Sequence, residues 1–304
     1  MNVCLTEDLA KNKTLIYYLL KQVVSEPLSK VVPIEGAKTS YAYEVNNHLI
    51  VKFPSCRTFV SNWEMQSEDA PVLQKSFSFR IPQPSLKEVC LSSTSPQGMM
   101  ASFYEKIDGR IIPSEDFAKQ PIEFKQHFFD QLADAAIQIH SISPKDLPVP
   151  PPKSEEIIRR MLPIHPNNWF FNRLFNALLF FPVLGFDRVP QEQRILCHSD
   201  LHSGNICLDE KGNLMGILDF DTLNQGADFV EFRPFLYKNR EDTCLFRQIY
   251  EKKVGKTIPD KDIHWMDTVD KMAHLSANVA RLRKISTFKR QRRLPTSSRD
   301  RGFF

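Results

Sequence analysis

The chain has 304 residues, of which 42% are hydrophobic and 25% are charged. A chain of this length and composition can bury the core of one or two domains, which excludes intrinsic disorder over most of its length. The formal net charge of +4 is unevenly distributed: residues 281–304 contain nine Lys or Arg and one Asp, so residues 1–280 carry −4. We therefore expect a mildly acidic body followed by a basic segment.

No run of the sequence approaches the roughly 20 apolar residues that a membrane span requires. Glu7 and Asp8, close to the start, are not typical of a secretory signal. The six cysteines stand singly, without the close pairs that are typical of zinc knuckles or redox centres. These features predict a reduced, cytoplasmic protein.

The first hundred residues are expected to form a small sheet with one helix. Short apolar or alternating runs predict strands at 31–34, 41–45 and 49–53, and Asn46-Asn47-His48 predicts a tight hairpin turn. Residues 57–70 lack Gly and Pro and predict a helix. Three further segments have the composition of strands: 77–81, 89–92 and 99–104.

The remaining elements are expected to be mostly helical. Phe128, Leu132, Ala136 and Ile139 recur at helical spacing and predict an amphipathic helix over 122–142. The proline-rich residues 144–152 are typical of a connector, with an SH3-type ligand as the alternative. Helices are expected around 154–162 and 168–180, then a strand at 194–197 and a hairpin that turns on Gly212-Asn213.

The candidate catalytic and metal-binding residues follow this strand and this hairpin. A loop carries His198, Asp200 and Asn205 with the spacing His-x-Asp-x4-Asn, and the hairpin ends at Asp219-Phe220. Phosphoryl transfer needs a carboxylate to orient the attacking hydroxyl and accept its proton, and it needs oxygen ligands for Mg²⁺. The spacing matches the catalytic and magnesium loops of kinases. It predicts Asp200 as the base and Asn205 and Asp219 as Mg²⁺ ligands.

The string from His198 to Ile206 resembles the aminoglycoside phosphotransferase family of eukaryotic-like kinases, which includes choline kinases. It is most similar to aminoglycoside 2''-phosphotransferases. Ser199 stands where protein kinases usually have an Arg that senses a phosphorylated activation loop, which favours a small-molecule kinase. The resemblance implies a bilobal, protein-kinase-like α+β fold. Residues 1–103 would form an antiparallel-sheet N-lobe, and residues 104–304 a mostly helical C-lobe.

The resemblance also implies which N-lobe residues contact the nucleotide, expected to be ATP or GTP. Lys52 would clamp the phosphates, and Glu64, preferred over Glu68, would orient Lys52. The other expected contacts belong to a turn over the phosphates and to a hinge at 100–106 that pairs with the base: Gly36, Thr39 and Ser40 in the turn, and Ser102 and Tyr104 in the hinge.

Several residues near the loop allow a structural interpretation as well. His198 is expected to hold the loop by hydrogen bonding, although His198, Asp200 and His202 together raise the alternative of a zinc cluster. Asp221 is either a second metal contact or a loop residue. Asp228 and Glu231 are expected to cap a helix.

The predicted function is Mg²⁺-dependent transfer of the terminal phosphate of a nucleoside triphosphate to a hydroxyl of a small molecule. Acids at Asp228, Glu231, Glu241 and Asp242 favour a cationic, aminoglycoside-like acceptor if they face the acceptor pocket; alternatively they begin a helix. The rival functions are a weakly catalytic or non-catalytic nucleotide-binding module and a kinase of protein or lipid head groups. The basic tail, about 289–304, is either solvated or contacts nucleic acid or an anionic surface.

Overall fold

A computed structural model describes residues 4–35, 40–55, 60–92, 98–144, 147, 193–220, 223–236, 239–264, 266–268 and 271. The chain divides into two compact units, one of residues 1–151 and 194–258, the other of residues 152–193 and 259–304. The second unit contains helical residues at 260–264 and 266–268. The expected helices at 154–162 and 168–180 and the basic tail lie outside the described residues. The predicted lobe boundary after residue 103 remains a prediction.

A five-stranded antiparallel sheet begins the first unit. Its strands lie in the order β1-β2-β3-β5-β4, where the labels denote β1 (Val31–Ile34), β2 (Ser40–Val45), β3 (Leu49–Pro54), β4 (Ser85–Cys90) and β5 (Gly98–Glu105). Asn46 and Asn47 have φ angles of 52° and 65° in the turn between β2 and β3, so the predicted hairpin is confirmed. The register places Lys52 between Ala42 and Ser102.

Three helices accompany this sheet: α1 (Glu7–Ala10), α2 (Lys13–Val23) and α3 (Val60–Gln74). The described part of α3 overlaps the helix predicted over 57–70, but α1 and α2 were not anticipated. The α2 helix buries Ile16, Leu19, Leu20 and Val23 in the same core cluster as β2, β3 and β5. Their spacing gives one apolar face, which covers the sheet.

The segment 77–81 is not a strand of the sheet, contrary to the prediction. Arg80 forms a single parallel bridge to Gly216: its N–H donates to the Met215 carbonyl and its own carbonyl accepts from the Ile217 N–H, both at 2.9 Å. The apolar composition of this segment reflects burial of its aromatic and aliphatic side chains. The segment therefore connects the chain after α3 to the predicted hairpin.

The rest of the first unit contains helices and two small sheets. Its helices are α4 (Ser114–Ala118), α5 (Ile122–His140), α6 (Arg233–Leu236) and α7 (Arg240–Val254). One sheet has the order β6-β8-β9, from β6 (Arg110–Ile111), β8 (Ile206–Leu208) and β9 (Leu214–Ile217); the other pairs β7 (Ile195–Cys197) with β10 (Asn224–Gly226). The predicted amphipathic helix, strand and hairpin are thus confirmed as α5, β7 and β8-β9.

A cluster of phenylalanine rings packs α5 against α7. The rings of Phe129 and Phe246 stack with centroids 5.5 Å apart, and Phe232 and Phe235 meet Phe246 edge-on. Such clusters bury a large apolar area and fix relative helix positions. Among the residues that the structure describes, no helix combines the length and apolar character needed to span a bilayer.

Gly216 has no room for a side chain where β9 meets Arg80. An added Cβ would lie 2.7 Å from the Arg80 carbonyl oxygen and 2.8 Å from Cγ2 of Ile107. We predict that Gly216→Ala lowers the free energy of unfolding by roughly 1–3 kcal/mol, as overpacking does in a filled core. Denaturant titration measures this loss.

The neighbouring Met215→Ala is the matched control, because the Met215 side chain is exposed. It is expected to change stability much less. Equal unfolding midpoints for the two variants would contradict the close contact between Arg80 and β9.

Candidate functional site

Lys52 and Asp219, distant in sequence, meet at the predicted nucleotide site. The Lys52 Nζ lies 3.8 Å from Oδ1 of Asp219 and 5.6 Å from the centre of the Tyr104 ring. The Lys52 side chain is mostly buried, whereas the Asp219 side chain is 38% exposed. The pair is therefore held by the protein on one side, and its carboxylate is open to solvent.

Asn205 links the two predicted loops. Its Nδ2 donates to the carbonyl oxygen of Asp200 at 2.9 Å and to Oδ2 of Asp200 at 3.2 Å. Its backbone carbonyl accepts a hydrogen bond of 2.8 Å from the N–H of Leu218. Leu218 immediately precedes Asp219. The predicted catalytic and magnesium loops are thus joined through one residue.

The donor chemistry at this point fits Mg²⁺. Because Nδ2 of Asn205 is used on Asp200, the amide presents its oxygen, Oδ1, as a ligand atom, and Asp219 adds a carboxylate. Hard oxygen ligands of these two kinds are what Mg²⁺ prefers. Asn205 and Asp219 are therefore suited to the ligand role predicted for them.

Two residues of the site have left-handed backbone conformations. The φ angles of Ser199 and Asp219 are 66° and 65°. For residues other than glycine this conformation costs of order 1–3 kcal/mol, and it persists where the surroundings enforce it. The surrounding hydrogen bonds therefore have to hold both loops in place.

His198 provides part of that hold. Its buried ring donates from Nε2 to the Leu218 carbonyl at 2.9 Å, and Nδ1 accepts from the Asp200 N–H at 3.3 Å. The ring also meets Phe220 edge-on at 4.9 Å. Both ring nitrogens are occupied, so the expected structural role is confirmed and His198 is not a zinc ligand in this arrangement.

His202 lies beside the predicted base. Its Nδ1 accepts from the Gly204 N–H at 2.9 Å, which leaves Nε2 to carry the proton, 3.6 Å from Oδ2 of Asp200. The Asp200 side chain is 40% exposed. Asn205 and His202 thus approach the same carboxylate oxygen of Asp200 and orient it.

Glu231 corrects one expectation, because it does not cap a helix. The side chain is 1% exposed, and its two oxygens accept from the backbone N–H groups of His198 at 2.5 Å and Ser199 at 3.0 Å. This role is not evident from the sequence, because the contact spans more than thirty positions. The buried carboxylate fixes the backbone just before Asp200.

Two of the other three acids of the expected cluster form ion pairs within the chain. Asp242 forms a buried ion pair with Lys125 at 3.1 Å, and Asp228 accepts from the Phe229 N–H and from Lys256. Glu241 is exposed in the first turn of α7, as the helix-start alternative predicts. Asp228, Glu231 and Asp242 thus contact groups of the chain itself, and a cationic acceptor remains a prediction.

The expected hinge residues lie on β5. Ser102 and Tyr104 are buried. On one side of β5, the pairing with β3 continues as far as Glu105. On the other side, the pairing with β4 reaches only Phe103, which lies opposite Ser85. The backbone of Tyr104 and Glu105 thus extends past β4, as a strand segment that binds a base edge would.

The remaining predicted residues are only partly described. Ser40 is the buried first residue of β2, opposite Pro54. Gly36, Thr39 and Asp221 lie outside the described residues. Glu64 is on α3 with an exposed side chain, and within the described ranges no ion pair reaches its carboxylate. Its pairing with Lys52 remains a prediction.

Sequence comparison identifies a family and one curated relative. The profile of a family described as phosphotransferase enzymes matches residues 31–232. A probable ethanolamine kinase A from Dictyostelium discoideum is 34% identical over 80 residues, which cover 22% of this chain and 23% of that protein. The match therefore spans about a quarter of the length of this relative.

Solved structures share the fold. APH(2'')-IIIa in complex with GDP and kanamycin superimposes with a TM-score of 0.68 at 16% identity, over 90% of this chain and 93% of that one. Aminoglycoside phosphotransferase APH(3'')-Id from Streptomyces rimosus, in complex with ADP and streptomycin, gives 0.64 at 15% identity, over 88% of this chain and 99% of that one. The predicted kinase-like α+β fold is confirmed.

The ion pair between Lys52 and Asp219 is testable through stability. We predict that the effects of Lys52→Met and Asp219→Asn on the free energy of unfolding are non-additive by roughly 0.5–1 kcal/mol, because each single change leaves one charge without its partner. Denaturant titration of the wild type, both single variants and the double variant gives the coupling energy.

A second cycle, with Glu64→Gln in place of Asp219→Asn, tests the predicted Lys52–Glu64 pair in the same way. Additive effects of Lys52→Met and Asp219→Asn would show that the observed pair contributes no coupling.

Proposed function

The chain belongs to the phosphotransferase enzyme family, and we propose that it transfers the terminal phosphate of ATP or GTP to a hydroxyl group of a small, amine-bearing molecule. The observation that carries the proposal is the hydrogen-bonded junction of the two loops. There Asn205 contacts Asp200 and, through Leu218, the residue next to Asp219. The residues proposed as the base and as the two oxygen ligands of Mg²⁺ are thereby adjacent.

In the proposed reaction, Asp200 accepts the proton of the acceptor hydroxyl as its oxygen attacks the terminal phosphorus. The bond from that phosphorus to the bridging oxygen breaks, and the nucleoside diphosphate leaves. His202 and Asn205 keep the Asp200 carboxylate oriented through Oδ2. Asn205 and Asp219 would hold Mg²⁺, which when bound neutralises charge on the phosphate oxygens.

Residues of the sheet would bind the nucleotide. Lys52, whose ammonium is already directed to Asp219 at 3.8 Å, would contact the phosphates, and Glu64 would orient it. Gly36, Thr39 and Ser40 are proposed to cover the phosphates. Ser102 and Tyr104 are proposed to line the base site, which the extension of β5 past β4 supports.

The proposed charge of the acceptor is supported by the relatives rather than by the acids of this chain. Kanamycin, streptomycin and ethanolamine, which appear in the names of the relatives, are hydroxyl compounds with basic nitrogen groups. The solved structures of these relatives include complexes with GDP and with ADP, so either ATP or GTP suits the proposal as the donor. A cationic hydroxyl compound is the common chemistry.

A cytoplasmic location also remains a proposal. It is supported by four described cysteines that form no disulfide: Cys90, Cys197, Cys207 and Cys244. Free thiols are typical of reducing compartments.

We predict that Asp200→Asn lowers turnover by about 10²-fold or more while nucleotide affinity stays within about twofold, since the base is lost and the nucleotide contacts remain. Asp116→Asn on α4 is the control, because it removes a charge from an exposed position. Steady-state kinetics and nucleotide titration provide both numbers. Turnover of the Asp200→Asn variant within about threefold of wild type would remove Asp200 from the mechanism.

The acceptor class is tested by nucleotide consumption across cationic, neutral and anionic hydroxyl compounds. Acceptor-dependent release of ADP or GDP is expected with the cationic compounds, as the names of the relatives suggest, and to a much smaller extent with neutral or anionic ones. A neutral or anionic compound as the best acceptor would contradict the proposed acceptor charge. Nucleotide binding without any transfer would favour the non-catalytic alternative.

A further inference from the structure

A buried chain of three polar side chains lies behind the catalytic loop. The Tyr250 hydroxyl is 2.7 Å from Nδ1 of His140, and Nε2 of His140 is 3.5 Å from Oε1 of Glu231. Glu231 in turn accepts from the N–H groups of His198 and Ser199. We call Tyr250, His140 and Glu231 the Glu231 relay. It connects α7 and α5 to the residues that precede Asp200.

The hydrogen bonds that the His140 ring can form define which groups of the relay donate and which accept. Burial raises the pKa of the Tyr250 phenol, and the nearby Asp228, Cys197 and Glu231 raise it further, so Tyr250 keeps its proton and donates it to Nδ1 of His140. The ring proton is then on Nε2. That atom is buried and makes no hydrogen bond within the described residues, and Oε1 of the Glu231 carboxylate lies 3.5 Å from it. A buried N–H without an acceptor is unfavourable, which favours donation to Glu231.

A metal ion is the competing explanation for the same atoms. Ligand atoms of His140, Cys197 and Glu231 lie within 4.8 Å of one another. However, the Cys197 thiol donates to the Ala227 carbonyl at 3.4 Å, and burial raises its pKa well above the usual value. Metal binding needs the thiolate. The hydrogen-bonded arrangement therefore accounts for these contacts without an ion.

We propose that His140 is a positioning residue for phosphoryl transfer: oriented by Tyr250, it donates from Nε2 to Glu231 and fixes the carboxylate that holds the catalytic loop. The proposal rests on the proposed function of the site. Ser199 has a φ of 66°, so its backbone needs this hold. Without the His140 donor the carboxylate can rotate, the Ser199 backbone relaxes, and Asp200 moves away from the acceptor hydroxyl. A displacement of about 1 Å can lower turnover by 10²-fold.

Three variants separate the donor from the bulk of the ring. His140→Leu fills the space without a donor, His140→Gln returns an N–H close to the position of Nε2, and Tyr250→Phe removes only the orienting hydroxyl. The control is Ile139→Val, which removes one buried methylene from the adjacent residue of α5 and leaves the polar contacts unchanged.

We expect kcat to fall roughly tenfold or more in His140→Leu, with the nucleotide KM within about twofold, because loop position and not nucleotide binding is affected. His140→Gln should recover most of the loss, and Tyr250→Phe should lie between them. Ile139→Val should retain the wild-type kcat. A wild-type kcat in His140→Leu, or a His140→Gln variant as impaired as His140→Leu, would overturn the proposal.

Amide hydrogen exchange of residues 195–201 supplies a readout that does not need activity. The amides of His198 and Ser199 should exchange faster in His140→Leu than in His140→Gln and in the Ile139→Val control. If the wild type transfers no phosphate to any acceptor, the proposed function fails while this comparison still tests the relay. Equal exchange in the wild type and these three variants would overturn the relay.

Metal analysis tests the competing explanation. The purified wild type, after dialysis against a chelator, is expected to contain far less than one equivalent of zinc. One equivalent of zinc that resists the chelator and disappears in Cys197→Ser would show that the ring is a metal ligand, and it would overturn the proposal.

Discussion

The buried carboxylate of Glu231 is the constraint on which the arrangement of the site depends. A charged oxygen removed from water is unfavourable unless strong donors surround it, and here the donors are consecutive N–H groups of the catalytic loop. The same hydrogen bonds satisfy the carboxylate and keep Ser199 in a conformation that the chain would otherwise leave. The direction of Asp200 follows from this backbone geometry.

A second set of contacts connects the loop that begins at His198 to the proposed magnesium loop at Asp219 and to the sheet. His198 bonds to the Leu218 carbonyl and packs on Phe220, whose ring lies 5.9 Å from Phe77 in the segment after α3. The same segment forms the bridge between Arg80 and Gly216. Hydrogen bonds and ring packing therefore fix the strand that precedes Asp219 from both sides, and Asp219 meets Lys52 of β3.

Features with local determinants are predictable from this sequence. The Asn46-Asn47 turn, the amphipathic face of α5 and the spacing from His198 to Asp219 are each encoded within a short stretch, and each was predicted. A role that depends on a partner distant in sequence is not predictable in this way. Glu231 is expected to cap a helix, because nothing near it in sequence indicates the loop amides. For Asp242 the start of a helix is predicted correctly, but its buried ion pair with Lys125 is not. The 77–81 segment is apolar enough for a strand, but it lies outside the five-stranded sheet and forms only a single bridge, from Arg80 to Gly216.

The central claim is that this chain moves a terminal phosphate to a hydroxyl. The most direct measurement follows the γ-phosphate itself, with ATP or GTP labelled at that position, Mg²⁺ and an amine-bearing hydroxyl compound. The account predicts that the label appears in a phosphate ester of the acceptor, in equal amount to the ADP or GDP released. Label that remains on the nucleotide, or that appears only as inorganic phosphate with every acceptor, would contradict it.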